Sequence, residues 1–228
     1  MENTISIAGT VTDLNELTRA LSSIIEDGAV DNDIRQLAVT LADSGFSGVL
    51  TNNKTIELTP GSAAGIFNWL YENIKYVPDP DGIELFQTPH VTIKNRFGDC
   101  DDIASLAGAL YRSIGYGYAL VFVQMEGWKT FNHVYGAVYT TDGWKYIDAS
   151  NKAEQWQFND NYPDDQIIAR KVVILSEKTD ADDFFKDDKT EVSYYQVPAA
   201  GGMIKTYLPF ILLTGVVLGA YYFTKDKE

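Results

Sequence analysis

The chain has 228 residues, enough for one medium domain with additional segments and a substantial hydrophobic core. Its 45% hydrophobic and 13% aromatic content excludes a disordered protein. The formal net charge of −14, without a cluster of basic residues, argues against a nucleic-acid partner and suits solubility or a basic partner. The single cysteine excludes an intrachain disulfide, and with only two histidines it cannot form a Cys/His zinc site.

Two amphipathic helices are predicted in residues 1–45, which we treat as an N-terminal helical segment. Asp13 can cap the first apolar stripe, and Gly28 is a stop signal after it. The second stripe begins after Asp31 or Asp33. A stretch rich in Gly, Ser and Asn then predicts a linker.

Two further helices are predicted in the middle of the chain. Thr59 followed by Pro60 has the pattern of a helix N-terminus, and the helix must end before Pro78, where a loop follows. The second helix begins at Cys100 with Asp99 as its N-cap. Its apolar residues recur at helical spacing and predict one buried face: Ile103, Leu106, Ala107, Leu110, Tyr111 and Ile114.

The hydrophobic period then changes to that of β-strands. Asp142-Gly143 supplies the turn between the second and third strand. Helices followed by antiparallel strands predict an α+β domain, which we place at residues 55–176. Residues 176–195 are acidic and predicted to be irregular, and we assign 177–205 to a linker and hinge. The predicted strands are Tyr118–Met125, Phe131–Tyr139, Trp144–Asp148 and a possible fourth at Arg170–Leu175.

Cys100 is a candidate nucleophile because of its position in the first turn of a helix. The unpaired N–H groups and the positive end of the helix dipole favour a thiolate there, and an N–H can help to bind an oxyanion. Asp99, Asp101 and Asp102 act in the opposite direction, because nearby negative charge disfavours the thiolate. A lone cysteine is also a common small core residue, so a structural role is the alternative.

His133 and Asp148 are predicted to approach each other on neighbouring strands. A turn at Thr140–Gly143 would pair Tyr139 with Trp144, which places His133 and Asp148 on the same face as diagonal neighbours. That parity permits a His–Asp hydrogen bond. The alternative is a structural histidine and an aspartate that ends a strand.

These segments together resemble the transglutaminase-like superfamily over about residues 61–150. The resemblance rests on Gly-Asp-Cys-Asp-Asp (98–102) before an apolar helix, on Asn-His-Val-Tyr (132–135), and on Gly-Trp-Lys-Tyr-Ile-Asp (143–148). The segments Tyr-Val-Pro-Asp-Pro-Asp-Gly (76–82) and Gln-Thr-Pro (87–89) are similar to those of microbial and phage members. The order Cys, His, Asp is the most specific part of the pattern.

The resemblance implies a papain-like core in which a cysteine at a helix N-terminus packs on an antiparallel sheet. It implies a catalytic triad of Cys100, His133 and Asp148. The motifs do not place the family's side-chain oxyanion donor; Gln87 is the candidate, with a hydrogen bond to the backbone as its alternative role. His90, next to Pro89, is expected to be a loop residue rather than a base. It implies no cofactor, and the chain lacks calcium-loop spacing, so no metal is expected. We favour a cysteine peptidase or amidase acting on a protein or peptide. The alternatives are a protein cross-linking transglutaminase and a catalytically silent structural or interaction protein of a virus particle or membrane.

A C-terminal membrane anchor is predicted at residues 206–224. The run from Tyr207 to Phe223 holds 17 residues without a charge, and its helix would be about 26 Å long, near the short limit for a bilayer core. A buried helix or a pair of strands is the alternative. The N-terminus lacks the pattern of a secretory signal, so we expect a single-pass protein with a cytoplasmic catalytic domain, or one in a virion membrane if it is phage-encoded.

Overall fold

The fold is organised around a helix, α5 (Cys100–Ser113), that lies on one face of a sheet in the computed structural model. The structure describes residues 13–44, 58–80, 85–153, 156–176 and 181–195. Within these ranges the main sheet has five strands: β3 (Gly117–Met125), β4 (His133–Thr140), β5 (Gly143–Ile147), β6 (Ile167–Ile174) and β7 (Thr190–Tyr194). Their order is β5-β4-β3-β6-β7, and every neighbouring pair is antiparallel except β6 and β7. The predicted α+β class is therefore confirmed.

The central strand β3 separates two hydrophobic cores. Tyr118, Leu120 and Phe122 face the core that contains α5, and the alternating residues between them face a second core on the opposite side. Both faces of β3 are covered, which is why its sequence is a nearly continuous apolar run. The predicted pairing of Tyr139 with Trp144 is confirmed, and Gly143, the first residue of β5 after the turn, has a φ of 86°.

The N-terminal helices pack on α5. Asp13 caps α1 (Leu14–Ala29), and Asp31 caps α2 (Asn32–Ser44) by accepting hydrogen bonds from two main-chain N–H groups. Gly28 lies inside α1, so its predicted role as the stop is wrong. A Cβ there would lie 2.8 Å from Ala109 Cβ, which shows that the glycine permits close packing of α1 on α5.

The segment between α3 and α5 is more ordered than the predicted loop. Thr59 caps α3 (Pro60–Asn73) as expected, with the Ser62 N–H as donor. Two short parallel strands and a helix then precede Cys100, and strands of two residues carry no periodicity from which to predict them. These elements are β1 (Lys75–Tyr76), α4 (Pro89–Asn95) and β2 (Phe97–Gly98).

The predicted irregularity of residues 181–195 is also wrong. This segment forms α6 (Ala181–Phe184) and β7, and Val192 of β7 pairs with Val172 of β6. Phe185 is 1% exposed in the second core. A few apolar residues attach this segment to the sheet and the second core. Its mostly acidic composition does not reveal the helix and the strand that it forms.

The described residues contain no helix that is both long and apolar enough to cross a membrane. The predicted span at 206–224 lies outside the described residues.

Candidate active site

Cys100 is the first residue of α5 and lies at a very small cavity. The helix begins where the Ile103 N–H donates to the Asp99 carbonyl oxygen at 3.1 Å, with Asp99 as N-cap. The thiol is partly buried. The cavity has a volume of about 10 Å³, room for about one water molecule. Among its lining residues are Cys100, Val134, Tyr135, Asp148 and Ser150.

The environment of Cys100 favours the neutral thiol. Burial raises its pKa well above the ordinary value of 9.0, and the negative charges of Asp101, Asp99 and Asp148 raise it further. A hydrogen bond from the Val134 main-chain N–H acts in the opposite direction. Burial and the neighbouring carboxylates therefore keep Cys100 in the protonated thiol form.

Asp102 fixes the loop before Cys100 to the start of α5. Its Oδ1 accepts from the Gln87 N–H and its Oδ2 from the Gln87 Nε2, both at 2.6 Å, and the Asp99 N–H approaches Oδ2 at 3.4 Å. Burial raises the pKa of Asp102 to about 7 despite these donors. A Cβ at Gly98 would lie 2.6 Å from Asp102 Cβ, so the glycine of the motif leaves room for this carboxylate.

Both polar atoms of the Gln87 side-chain amide form hydrogen bonds with other protein groups. Besides Asp102, its Nε2 donates to the Phe97 carbonyl oxygen at 3.1 Å, and its Oε1 accepts from Asn95 at 2.8 Å. This arrangement does not favour the predicted role of Gln87 as an oxyanion donor. Gln87 instead holds the carboxylate of Asp102 in place.

His133 and Asp148 are in direct contact, as the strand register predicted. The distance between His133 Nε2 and Asp148 Oδ2 is 2.8 Å. The other carboxylate oxygen of Asp148 accepts from the Ser150 N–H, the Ser150 hydroxyl and the Asn151 N–H at 3.0, 2.5 and 3.1 Å. Burial would raise the pKa of Asp148, but the hydrogen bonds from His133, Ser150 and Tyr162 outweigh it and lower that pKa. Asp148 is therefore an ionised, fixed carboxylate.

The contacts of His133 distinguish its two ring nitrogens. Nε2 faces Asp148, whereas no hydrogen bond among residues 85–153 and 156–176 engages Nδ1. No hydrogen bond joins Cys100 to His133 in the same ranges; the thiol instead meets the N–H of Val134, the next residue along β4. Catalytic hydrogen bonds are often incomplete without substrate. The structure thus joins His133 to Asp148 and places Cys100 at the cavity that Asp148 lines.

Three residues after β5 belong to the site but were not predicted from the sequence. Ser150 and Asn151 bind Asp148, and the Tyr162 hydroxyl donates to Asp148 Oδ2 at 2.6 Å and lies 3.2 Å from His133 Nε2. Tyr162 comes from an irregular segment beyond the resembling region. The sequence carried no signal for it other than an aromatic residue beside Pro163.

The remaining candidate lies away from this arrangement. His90 is in α4 rather than a loop, and its Nε2 lies 3.0 Å from Asp31 Oδ2.

A cluster of three aspartates has the spacing of a possible cation site. Oxygen atoms of Asp99, Asp101 and Asp102 lie within 4.8 Å of one another, a grouping that is unique among the described His, Cys, Asp and Glu residues. Both oxygens of Asp102 already accept hydrogen bonds from N–H groups, so the cluster is partly satisfied by the protein itself.

Comparison with family models supports the resemblance that the sequence motifs indicate. The family model described as the Transglutaminase-like superfamily matches residues 46–149. The resemblance in the sequence motifs is therefore confirmed, and the matched residues include Cys100, His133 and Asp148.

Two solved structures are similar to parts of the chain. One is described as a putative cysteine protease from Cytophaga hutchinsonii, with 18% identity and a TM-score of 0.37; the match covers 64% of this chain and 46% of that one. The other is described as a putative protease from Parabacteroides distasonis, with 13% identity and a TM-score of 0.41, covering 59% of this chain and 26% of that one. The chain thus matches less than half the length of each of these two solved structures. No curated protein matches the sequence.

Proposed function

We propose that the protein is a thiol enzyme that acts on amide bonds by acyl transfer. In this proposal Cys100 is the nucleophile, His133 is the base, and Asp148 orients the imidazole. The observation that supports it most directly is the 2.8 Å contact between His133 Nε2 and Asp148 Oδ2, close to a helix N-terminus that carries the only cysteine.

The protonation states define the first step of the proposed reaction. Because the pKa of Cys100 is raised, the thiol carries its proton until His133 Nδ1 removes it during attack on the carbonyl carbon. A C–S bond forms, the imidazolium is stabilised by Asp148, and main-chain N–H groups at the start of α5 can bind the oxyanion. The imidazolium then donates its proton to the leaving nitrogen as the C–N bond breaks.

The second step decides between two activities. Attack of water on the thioester, with His133 again as base, releases a carboxylic acid and restores the thiol. Attack of a primary amine would instead form a new amide bond and cross-link two proteins. We favour hydrolysis on a protein or peptide substrate, because water needs no separate binding surface while an amine must be bound in competition with it.

A competition experiment tests the proposal and ranks these activities. The protein is incubated with a peptide library, a glutamine peptide and a fluorescent primary amine, and products are identified by mass spectrometry. We expect cleavage or deamidation that exceeds amine incorporation and disappears in both Cys100→Ala and His133→Ala. Amine incorporation that exceeds hydrolysis would favour the cross-linking alternative. Turnover that persists in Cys100→Ala would refute Cys100 as the nucleophile. Absence of any turnover by the wild type would favour the catalytically silent alternative.

A further inference from the structure

Tyr162 occupies an unusual position beside the proposed base and its carboxylate. Its hydroxyl oxygen lies 2.6 Å from Asp148 Oδ2 and 3.2 Å from His133 Nε2, while those two atoms are 2.8 Å apart. The three atoms form a closed triangle. The Tyr162 ring also meets the His133 ring edge-on, with 5.6 Å between their centroids.

The hydrogen-bond directions at Tyr162 are fixed by its partners. Asn151 Nδ2 donates to the hydroxyl oxygen at 3.2 Å, and the hydroxyl proton is donated to Asp148. Burial and the charge of Asp148 raise the pKa of Tyr162, so the phenol keeps its proton. The hydroxyl is consequently a permanent donor to the same carboxylate oxygen that accepts from His133.

We propose that Tyr162 is a positioning residue that shares Asp148 Oδ2 with His133 and holds the imidazole with Nε2 toward the carboxylate and Nδ1 toward the nucleophile. This inference rests on the proposed function, because it assigns a task to His133 as base. It extends the site beyond the three residues that the motifs identify.

Asp148 Oδ2 divides its negative charge between two hydrogen-bond partners, His133 and Tyr162. A short hydrogen bond from Tyr162 withdraws negative charge from Oδ2 and so weakens its stabilisation of the imidazolium. Removing that donor should concentrate charge on the oxygen that faces His133 and raise the pKa of the imidazole. Tyr162→Phe also removes the hydroxyl oxygen that lies 3.2 Å from His133 Nε2, and the loss of this weak acceptor would lower the pKa of the imidazole. That effect is the smaller one, because only the 2.6 Å bond to Asp148 is a short hydrogen bond to a charged group.

Other charged groups surround this pair. Tyr135 stacks on His133 from the same strand at 5.7 Å between centroids, and its hydroxyl donates to Asn161 rather than to Asp148. The Val134 N–H, next to His133, is hydrogen-bonded to the Cys100 thiol, and the negative charges of Asp99 and Asp101 raise the pKa of that thiol. Lys152 is a further charged neighbour, which interacts with Asp148 and whose pKa burial lowers to about 8, and Arg170 acts on the Tyr135 phenol. None of these is altered directly by removing the Tyr162 hydroxyl.

The chain contains two histidines, so nuclear magnetic resonance of ¹⁵N-labelled histidine can observe His133 and His90 separately in the full-length protein. We expect Tyr162→Phe to raise the pKa of His133 by ~0.5 unit or more and to leave His90 unchanged. Tyr135→Phe is the matched control, since it removes a buried phenol oxygen without a contact to Asp148, and it should shift His133 by less than half as much. In Cys100-dependent turnover, the acidic limb of kcat/KM should move upward by the same shift.

An unchanged or lowered His133 pKa in Tyr162→Phe, or equal shifts in both variants, would overturn the proposal. If Tyr162→Phe does not fold, the ¹⁵N shifts of wild-type His133 decide: a proton on Nε2 with a bare Nδ1 supports the assignment, and a proton on Nδ1 refutes it. These measurements need no substrate. If the wild-type protein shows no turnover, the proposed function is contradicted. The ¹⁵N measurements would still test the role of Tyr162 at His133, because they do not depend on turnover.

Discussion

The hydrogen bonds of Asp148 predict that Asp148→Asn damages the site by reversing the tautomer of His133. One carboxylate oxygen accepts from two N–H groups and a hydroxyl, while the other faces His133 and Tyr162. The asparagine oxygen must take the first position, because N–H groups can only donate. Its NH₂ group then points at His133 Nε2, which becomes an acceptor, and the ring proton moves to Nδ1.

The size of the effect follows from the bonds exchanged. The Nε2–H tautomer loses a hydrogen bond to a carboxylate, about 1.5–3 kcal/mol, and the Nδ1–H tautomer gains a neutral one, about 0.5–1.5 kcal/mol. Together these values reduce the population with a bare Nδ1 by roughly 30- to 2,000-fold. We expect kcat/KM to fall by a factor in this range, with little change in KM if Asp148 does not touch the substrate.

The assay compares Asp148→Asn with Asp148→Ala. Alanine removes the carboxylate without imposing a tautomer, so it should retain more activity than asparagine. Alkylation of the sole cysteine by iodoacetamide gives a measurement that needs no substrate and should follow the same order. The reasoning is refuted if Asp148→Asn is as active as Asp148→Ala, or if ¹⁵N shifts still show a proton on Nε2.

Three further predictions follow from the buried charges and from the sequence. The alkylation rate of Cys100 should keep rising above pH 9, and Asp101→Asn should move its midpoint to lower pH because it removes the largest charge effect on the thiol; an unchanged midpoint would contradict this electrostatic account. Because the folded pKa of Asp102 is raised to about 7 from 3.8, the folded state binds an extra proton between these values, so its contribution to stability falls as pH rises from about 4 to 7. Urea denaturation should show this loss in the wild type and not in Asp102→Asn; parallel curves for both would refute it. We also propose that residues 206–224 anchor the protein, so the full chain should partition with lipid vesicles and a chain ending at Ala200 should not; equal partitioning would refute the anchor.

Much of the site's geometry could be predicted because it follows from strand parity. The contact between His133 and Asp148 depends only on the pairing of Tyr139 with Trp144, which the short turn at Gly143 fixes. Likewise the position of Cys100 follows from a capped helix with one apolar face, a pattern that is readable in sequence.

The features that were missed depend on contacts between distant segments. Tyr162 reaches the site through an irregular loop, and β7 pairs with β6 although its sequence is mostly polar. The sequence offers Gln87 as an oxyanion candidate because its hydrogen-bond partner, Asp102, cannot be identified from spacing. The sequence indicates a helix stop at Gly28 because the close contact of Gly28 with Ala109 is a tertiary feature.

The burial of Cys100 also has a consequence for oxidative damage. Peroxides react with thiolates, so a cysteine that keeps its proton and has little exposure is oxidised slowly in the absence of substrate. The same chain has no second cysteine to convert a sulfenic acid into an intramolecular disulfide, so an oxidised enzyme would depend on an external thiol for recovery. In the proposed reaction, the burial and negative charge that make Cys100 difficult to deprotonate therefore also protect its thiol from oxidation.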